Sequence, residues 1–313
     1  DKKVQLLLSM FSSVNKKPEL KNDLEEMCEL MTIAHPEDAR AYTIYGDFLY
    51  QQNDLENALD QFKKALRYDK SRYAIWNQVF ILQADLNKVD SLIFYAQEAR
   101  NLFPNQPLAY YFEGFGQMQH KNYPGAVNAF NDGINLIVDN NNLLVQFYLS
   151  LSEAYHQQDF HASSDSIFEL ILGIDPLNSI ALNNYSYYLS LRNENLEKAE
   201  KMSLKSNQLN ENQPTYMDTY AWVLYKMEKY KEAKEWILKA MEHGGSGNAE
   251  ILEHCGDIYY KLGDKEKAVE YWNKAADKLT DAEISEQLNQ KIKTGNLNSS
   301  RVLFSRTYSW RMK

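Results

Sequence analysis

Residues 107–134 read PLAYYFEGFGQMQHKNYPGAVNAFNDGI, and the small residues in this stretch decide the fold. Gly114 and Ala126 lie twelve residues apart, and an aromatic residue, Phe130, and a further small residue, Gly133, follow them. The same order recurs at Gly46, Ala58, Phe62 and Ala65 and again at Gly256, Ala268, Trp272 and Ala275. A period of about 34 residues predicts stacked helical hairpins, each of which buries its apolar surface only against its neighbours.

The register of this repeat can be followed along most of the chain. Its steps are 34, 34, 38, 34, 35 and 35 residues, and its starts fall near Ala39, Tyr73, Pro107, Val145, Ser179, Pro214 and Ala249. The longest step contains the polar stretch 139–142, which we interpret as a loop. The glycines at 244, 245 and 247 predict a second loop before the last repeat.

The small residues have a physical reason. Two antiparallel helices approach closely only where the crossing point carries no bulky side chain, so we predict that Ala126 and Ala268 are buried between the helices of their hairpins. The aromatic residue four positions later, such as Phe130 or Trp272, is expected to fill the space between one hairpin and the next.

This pattern resembles the tetratricopeptide repeat, in which a small residue in helix A, an alanine and an aromatic residue in helix B, and a closing proline recur. Here Ala58, Ala126, Ala199, Ala233 and Ala268 occupy the small site of helix B. Pro36, Pro104 and Pro176 close repeats, because proline cannot continue a helix. The resemblance implies an all-α, right-handed superhelix (an α-solenoid) of helix-turn-helix repeats with a C-terminal capping helix.

The chain divides into four segments on this basis. They are a divergent N-terminal repeat (1–38), seven repeats (39–280), a capping helix (281–297) and a basic aromatic tail (298–313). Ile284, Leu288 and Ile292 are spaced i, i+4, i+8, as an amphipathic cap requires. Because the sequence opens with Asp1 and two lysines rather than with Met and a signal peptide, we expect a fragment of a longer protein.

The tail has a composition of its own. Its basic residues are Arg301, Arg306, Arg311 and Lys313, and it contains no acid. Its apolar residues, among them Phe304, Tyr308 and Trp310, alternate with mostly polar ones, which favours an extended segment. We expect it to lie against an acidic surface of its own chain or of a neighbouring chain. The second case would give self-association. A disordered tail is the alternative.

The composition excludes several classes of protein. A net charge of -9 over 313 residues is unsuited to general nucleic-acid binding, which needs clustered Lys and Arg. No apolar run approaches 18 residues, so we predict no transmembrane segment. Cys28 and Cys255 lie in the first and last repeats, and we expect them to be too far apart for a disulfide.

The sequence offers little that resembles catalytic chemistry. Its six histidines form no H-E-x-x-H, and neither C-x-x-C nor G-x-S-x-G occurs. His156 and His161 fit a helix-to-helix turn, and the adjacent His254 and Cys255 do not face each other on a helix. We therefore predict no enzyme activity and assign no catalytic, cofactor-binding or metal-binding residue.

The family resemblance implies that helix A of each repeat lines a concave groove. The groove residues expected here are Tyr111, Phe115, Asn183, Asn184, Tyr187, Asp218, Trp222, Glu253 and Asp257. Amides both donate to and accept from a peptide backbone, and aromatic rings supply contact area, so the set suits a peptide or a partner helix. The alternative is that several of these aromatic residues pack against the next repeat.

The runs LNNYSYYL (182–189), DTYAWVLY (218–225) and EHCGD (253–257) resemble bacterial cell-envelope members of the family, which are often lipoproteins. We therefore predict a non-enzymatic protein-interaction scaffold or adaptor in a bacterial envelope or assembly process, with the periplasm or cell envelope favoured over the cytoplasm. Two alternatives stay open: a regulatory or substrate-docking arm of a larger enzyme, and a glycan- or peptidoglycan-binding module.

Overall fold

A computed structural model of the chain describes residues 10–11, 19–280 and 286–297. The chain divides into two compact units, Asp1–Gln158 and Asp159–Lys313. The helices with described bounds in the first unit are α1 (Leu20–Ala34), α2 (Ala39–Gln51), α3 (Leu55–Tyr68), α4 (Tyr73–Asp85), α5 (Val89–Leu102), α6 (Pro107–Gln119), α7 (Tyr123–Ile134) and α8 (Asn141–His156). Those in the second are α9 (His161–Ile174), α10 (Ser179–Arg192), α11 (Leu196–Leu209), α12 (Pro214–Lys226), α13 (Tyr230–Glu242), α14 (Ala249–Lys261), α15 (Lys265–Ala276) and α16 (Glu286–Thr294), with a 3-10 turn at Gly245–Gly247.

The described part of the chain is all-α, as predicted, and its helices follow the predicted register. Six of the helices that open a repeat begin at the predicted residue, namely α2, α4, α6, α10, α12 and α14. Within this part of the chain, none of the helices combines the length and the apolar character needed to cross a membrane.

The fourth repeat begins differently from the prediction. Helix α8 starts at Asn141 rather than near Val145, so the interpretation of 139–142 as a loop was wrong for its last two residues. The Asn140 side chain accepts a hydrogen bond from the Leu143 amide at 3.0 Å and thereby caps the helix. The four extra residues of this repeat therefore lengthen its first helix by about one turn.

The turn between helix A and helix B repeats a left-handed backbone conformation. The residues with positive φ at this turn are Asn53, Asn87, Lys121, Asp159, Asn193, Glu228 and Gly263. Their separations are 34, 34, 38, 34, 35 and 35 residues, which are the steps of the sequence repeat. A left-handed residue just after a helix satisfies its last carbonyl groups, so this position ends helix A in each repeat.

We expect Glu228→Gly to stabilise the protein. Glu228 has φ 62°, a conformation that costs a residue with a Cβ about 1–2 kcal/mol. The extra entropy of glycine in the unfolded chain offsets about 0.5–1 kcal/mol of this, so the free energy of unfolding should rise by up to about 1 kcal/mol. Urea unfolding measures the change. Asn193→Gly is the control and should gain less, since Asn tolerates this conformation; an equal or larger gain there would contradict the explanation.

The aromatic residue of helix B packs over the glycine of helix A in its own hairpin. A Cβ on Gly114 would lie 2.5 Å from the Phe130 ring, and one on Gly256 would lie 2.4 Å from Trp272. The predicted filling of the space between one hairpin and the next is therefore only part of the role of these rings. Phe130 does both, because its ring centroid also lies 6.2 Å from that of Phe147 on α8.

The predicted burial of Ala126 and Ala268 is confirmed, since both are fully buried. We expect Ala126→Leu to lower the free energy of unfolding by about 1–3 kcal/mol, because a larger side chain forces the two helices of the hairpin apart. Asn128 is exposed on the same helix, so Asn128→Leu is the matched control. Denaturant unfolding that shows no loss for Ala126→Leu, or an equal loss for both variants, would contradict the predicted register.

The two ends of the chain are described in part. Helix α1 buries Leu24 and Cys28, and the Phe11 ring lies 5.1 Å from that of Phe48. Helix α16 lies within the predicted cap, with Leu288 fully buried. Residues 1–9 and 12–18 of the predicted N-terminal repeat, Ile284 of the predicted cap and the tail 298–313 lie outside the described residues.

Cys28 and Cys255 are both buried free thiols. Burial raises the pKa of each thiol to about 12, so both are protonated at neutral pH. They act as small apolar side chains in the hairpin core.

Candidate functional site

The predicted groove residues of the second unit lie at equivalent positions on three successive A helices, α10, α12 and α14. Asn183, Asp218 and Glu253 are each 35 residues apart, and Tyr187, Trp222 and Asp257 repeat the same spacing four positions later. We call the set the helix-A strip and define it as Asn183, Asn184, Tyr187, Asp218, Trp222, Glu250, Glu253, His254 and Asp257. Glu250 is half-buried, and the other members are buried.

Asp218 and His254 join α12 to α14 at the centre of the strip. The His254 Nδ1 atom lies 2.7 Å from the Asp218 Oδ1 atom, within hydrogen-bond distance. The His254 ring stacks on the Trp222 indole, with ring centroids 3.9 Å apart, and Tyr225 also stacks on Trp222 at 4.6 Å. The Trp222 indole N–H is buried and has no hydrogen-bond partner among the described residues.

Two further hydrogen bonds fix the polar side chains of the strip. The Tyr187 hydroxyl donates to the Glu250 Oε1 atom at 2.5 Å and so connects α10 with α14. On α10, the Asn183 Nδ2 atom donates to the Asn184 Oδ1 atom at 3.1 Å. Amide, carboxylate and aromatic groups from three repeats therefore meet along one line.

One cluster in the described part of the chain could hold a metal ion. It consists of Asp218, Glu250 and His254, whose ligand atoms all lie within 4.8 Å of one another. Carboxylate oxygen and imidazole nitrogen are ligands that Zn²⁺ accepts. No metal ligand was predicted here, and His254 was considered only beside Cys255. The Glu-x-x-x-His spacing of Glu250 and His254, which places both on one helix face, was the signal available.

Lys291 of the capping helix α16 binds the acidic end of the strip. Its Nζ atom lies 2.7 Å from the Glu253 Oε1 atom and 2.8 Å from each Asp257 carboxylate oxygen. The Trp272 indole N–H donates to the Asp257 Oδ1 atom at 2.8 Å, and its ring centroid lies 5.9 Å from the Lys291 ammonium. All three charged side chains are buried. One buried ammonium therefore lies between two buried carboxylates.

Burial and charge shift the pKa values at this end of the strip. Burial raises the pKa of Glu253, although the Lys291 ammonium opposes this. Burial alone would lower the pKa of Lys291, but the Asp257 and Glu253 carboxylates outweigh it and raise that pKa. The sequence analysis missed Lys291. It lies between Leu288 and Ile292 on the apolar face of the cap, which was the available signal.

The two predicted groove residues of the first unit lie on α6. Tyr111 is buried, and its ring centroid lies 5.1 Å from that of Phe147 and 5.8 Å from that of Phe130. Burial raises the pKa of the Tyr111 hydroxyl, which lies 3.3 Å from the Ser150 Oγ atom. Phe115 is half-buried. Tyr111 thus packs between consecutive helical pairs of its own unit.

The sequence is similar to known proteins over separate stretches. Two sequence models of the tetratricopeptide repeat match it, over residues 32–74 and 249–277. A tetratricopeptide repeat-containing protein of Pseudomonas aeruginosa is 23% identical over 213 residues, which are 68% of this chain and 35% of that protein. The chain thus spans about a third of the length of this curated relative.

Solved structures share the fold at low sequence identity. A tetratricopeptide repeat protein from Parabacteroides merdae has a TM-score of 0.67 at 15% identity, with 82% of this chain and 98% of that chain covered. The Cut9–Hcn1 hetero-tetramer of the APC/C has a TM-score of 0.66 at 11% identity, with 88% of this chain and 52% of that chain covered. Yeast Tom70 has a TM-score of 0.56 at 18% identity, with 90% of this chain and 60% of that chain covered. These likenesses show that the chain has the fold of tetratricopeptide repeat proteins, and two stretches of its sequence match that repeat.

Proposed function

We propose that the chain is a non-enzymatic protein-interaction scaffold whose helix-A strip binds an extended, basic segment of a partner protein. The observation that supports this most strongly is the binding of Lys291 by Glu253 and Asp257. The strip already holds one lysine side chain through two carboxylates and an indole ring. The same chemistry is available for the lysine or arginine of a partner.

The charge of the strip favours a basic ligand. It contains four carboxylates, on Asp218, Glu250, Glu253 and Asp257. A largely buried surface that carries several carboxylates attracts cations and repels acidic segments.

The uncharged groups of the strip favour an extended backbone. A buried donor without a partner, such as the Trp222 indole N–H, costs about 1–3 kcal/mol, and a backbone carbonyl of a bound segment would satisfy it. The amides of Asn183 and Asn184 can donate to and accept from a peptide. A glycan is less well accommodated on Trp222, because two rings already stack on its indole.

The setting of this binding is also part of the proposal. An envelope or assembly process is supported by the resemblance of residues 182–257 to bacterial envelope members, and the Pseudomonas relative supports a bacterial source. Cell fractionation of the native full-length protein tests it. Recovery in the cytosol alone would overturn the envelope assignment without affecting the binding proposal.

Selection from a displayed library of random unstructured peptides tests the chemistry of the partner. We expect the peptides that bind the wild-type chain to be enriched in Lys and Arg and depleted of Asp and Glu. Their binding should weaken with salt, since salt screens the long-range attraction between a basic peptide and the acidic strip. Enrichment of acidic peptides, or selective binding on a glycan array with no peptide selected, would overturn the proposal.

A further inference from the structure

Helices α2 and α4 of the first unit differ in burial from the A helices of the second unit at equivalent positions, whereas α6 buries Tyr111 at its fifth position. In the first unit, Thr43, Asp47, Asn77 and Ile81 are half-buried at the fifth and ninth positions of α2 and α4. In the second unit, the residues at these positions are buried, and burial is continuous over 181–190, 216–224 and 251–259. A helix that lines an open groove leaves one face to solvent. The strip of the second unit is therefore a covered surface.

Helix α16 covers one end of the helix-A strip. Lys291 on α16 lies against α14, while α12 and α10 are one and two repeats further from it. The described chain ends at Leu297, and the Tyr260 hydroxyl of α14 donates to the Asn296 Oδ1 atom at 3.1 Å. The chain that follows therefore starts beside the α14 end of the strip.

The charge and length of the remaining chain match the strip. Residues 298–313 carry three arginines and one lysine, with no acid. Sixteen extended residues reach about 50 Å, at about 3.3 Å per residue. Neighbouring packed helices lie about 8–10 Å apart, so three of them are well within that reach.

We propose that residues 298–313 lie extended along the helix-A strip of their own chain, with their arginines on its carboxylates. The tail then acts as a built-in competitor of a basic partner segment. Only this competition rests on the proposed function; the location of the tail does not. A tail that binds the strip of a second copy is the rival that the test must exclude.

Site-specific photocrosslinking in the full chain tests the location. Benzoylphenylalanine is placed at Phe304. We expect it to give crosslinks within one chain to α10, α12 or α14. An Arg301→Gln, Arg306→Gln, Arg311→Gln variant should lower the yield by about tenfold or more, since it removes several favourable charge contacts. Crosslinks to other surfaces, or only between two chains, would overturn the proposal.

A titration separates this inference from the proposed function. The probe is a fluorescent basic peptide obtained in the selection above. It should bind the triple Arg→Gln variant about tenfold more tightly than the wild type, because the bound state no longer competes with the tail. A Lys201→Gln, Lys205→Gln, Lys231→Gln variant loses the same charge at exposed positions and should bind as the wild type does.

The proposed function and the tail assignment can be contradicted independently. If Phe304 crosslinks to the strip and no peptide binds either variant, the proposed function fails and the tail assignment stands. If the peptide binds wild type and the triple Arg→Gln variant equally and Phe304 crosslinks elsewhere, the tail assignment fails and the proposed function stands.

Discussion

Replacing Lys291 by methionine is expected to lower the free energy of opening of the α14–α16 segment by about 3–5 kcal/mol at pH 7.5. Methionine keeps most of the volume but removes the ammonium that lies between Glu253 and Asp257. Two carboxylates are then left buried side by side without a cation. The loss of one partner from a buried ion pair is costly for this reason, even where the intact pair contributes little.

The size of this loss should depend on pH. In the wild type, the pKa of Lys291 is raised above its ordinary value of 10.5, so its contribution is present in full below that pH and is lost as pH rises through the raised pKa. The pKa of Glu253 is raised above its ordinary value of 4.5. Ionisation of this group therefore lowers the free energy of unfolding as pH rises through the raised pKa. Without the ammonium, which opposes the raised pKa of Glu253, this carboxylate should bind a proton more readily. The deficit of Lys291→Met should therefore shrink near pH 5.

Hydrogen exchange followed by mass spectrometry measures this local opening, because a repeat array need not unfold as one unit. Lys293 is exposed on the same helix, so Lys293→Met is the matched control and should change little. A Lys291→Met protein with wild-type exchange in α14–α16, or with a deficit that grows towards pH 5, would contradict the account.

The second large effect is expected at Trp272. This ring is fully buried over Gly256, where even a Cβ would not fit. Its removal in Trp272→Ala leaves a cavity between α14 and α15 and should cost about 3–5 kcal/mol. It also removes the hydrogen bond from the indole N–H to Asp257.

Trp272→Phe separates packing from hydrogen bonding. The ring largely remains, so the expected loss is that of a hydrogen bond to a charged group, about 1.5–3 kcal/mol. Urea unfolding together with exchange in α14–α15 measures both variants. Equal losses for Trp272→Ala and Trp272→Phe would show that the ring does not fill the hairpin as described.

The register of the helices could be predicted from the sequence because it depends on local rules. A small residue is required wherever a ring or a helix approaches closely, as at Gly114 and Ala126, and such positions recur with the repeat. The start of α8 could not be predicted in this way. Asn140 is a good N-cap, but the sequence does not show whether a polar stretch caps a helix or forms a loop.

The turn positions were missed. The left-handed residue that ends helix A is Asn, Lys, Asp, Glu or Gly in different repeats. Five of the seven are Asn, Asp or Gly, the residue types that best tolerate this conformation, so a signal was present in the sequence. Lys121 and Glu228 interrupt it, because the helices on either side impose the conformation on residues that disfavour it.

The strip was predicted in part. The family register places Asp218 and Trp222 on one line with Asn183 and Glu253, since they repeat every 35 residues. The partners of these residues could not be predicted. His254 and Lys291 contact Asp218 and Glu253 across 36 and 38 residues, so these pairs depend on how consecutive repeats and the cap stack.

The helix-A strip is tested most sharply as a binding site by the affinity of one selected basic peptide, measured by fluorescence anisotropy. The affinity is compared between the wild type and an Asn184→Ala, Trp222→Ala double variant. Circular dichroism confirms that the helical content is kept, and Phe94→Ala, at an exposed aromatic residue of α5, is the control. Truncating a central Trp typically costs about 2 kcal/mol or more, so the double variant should bind at least about thirtyfold more weakly than the wild type and the control. Equal affinity for all three proteins would contradict the assignment of the helix-A strip as the binding site.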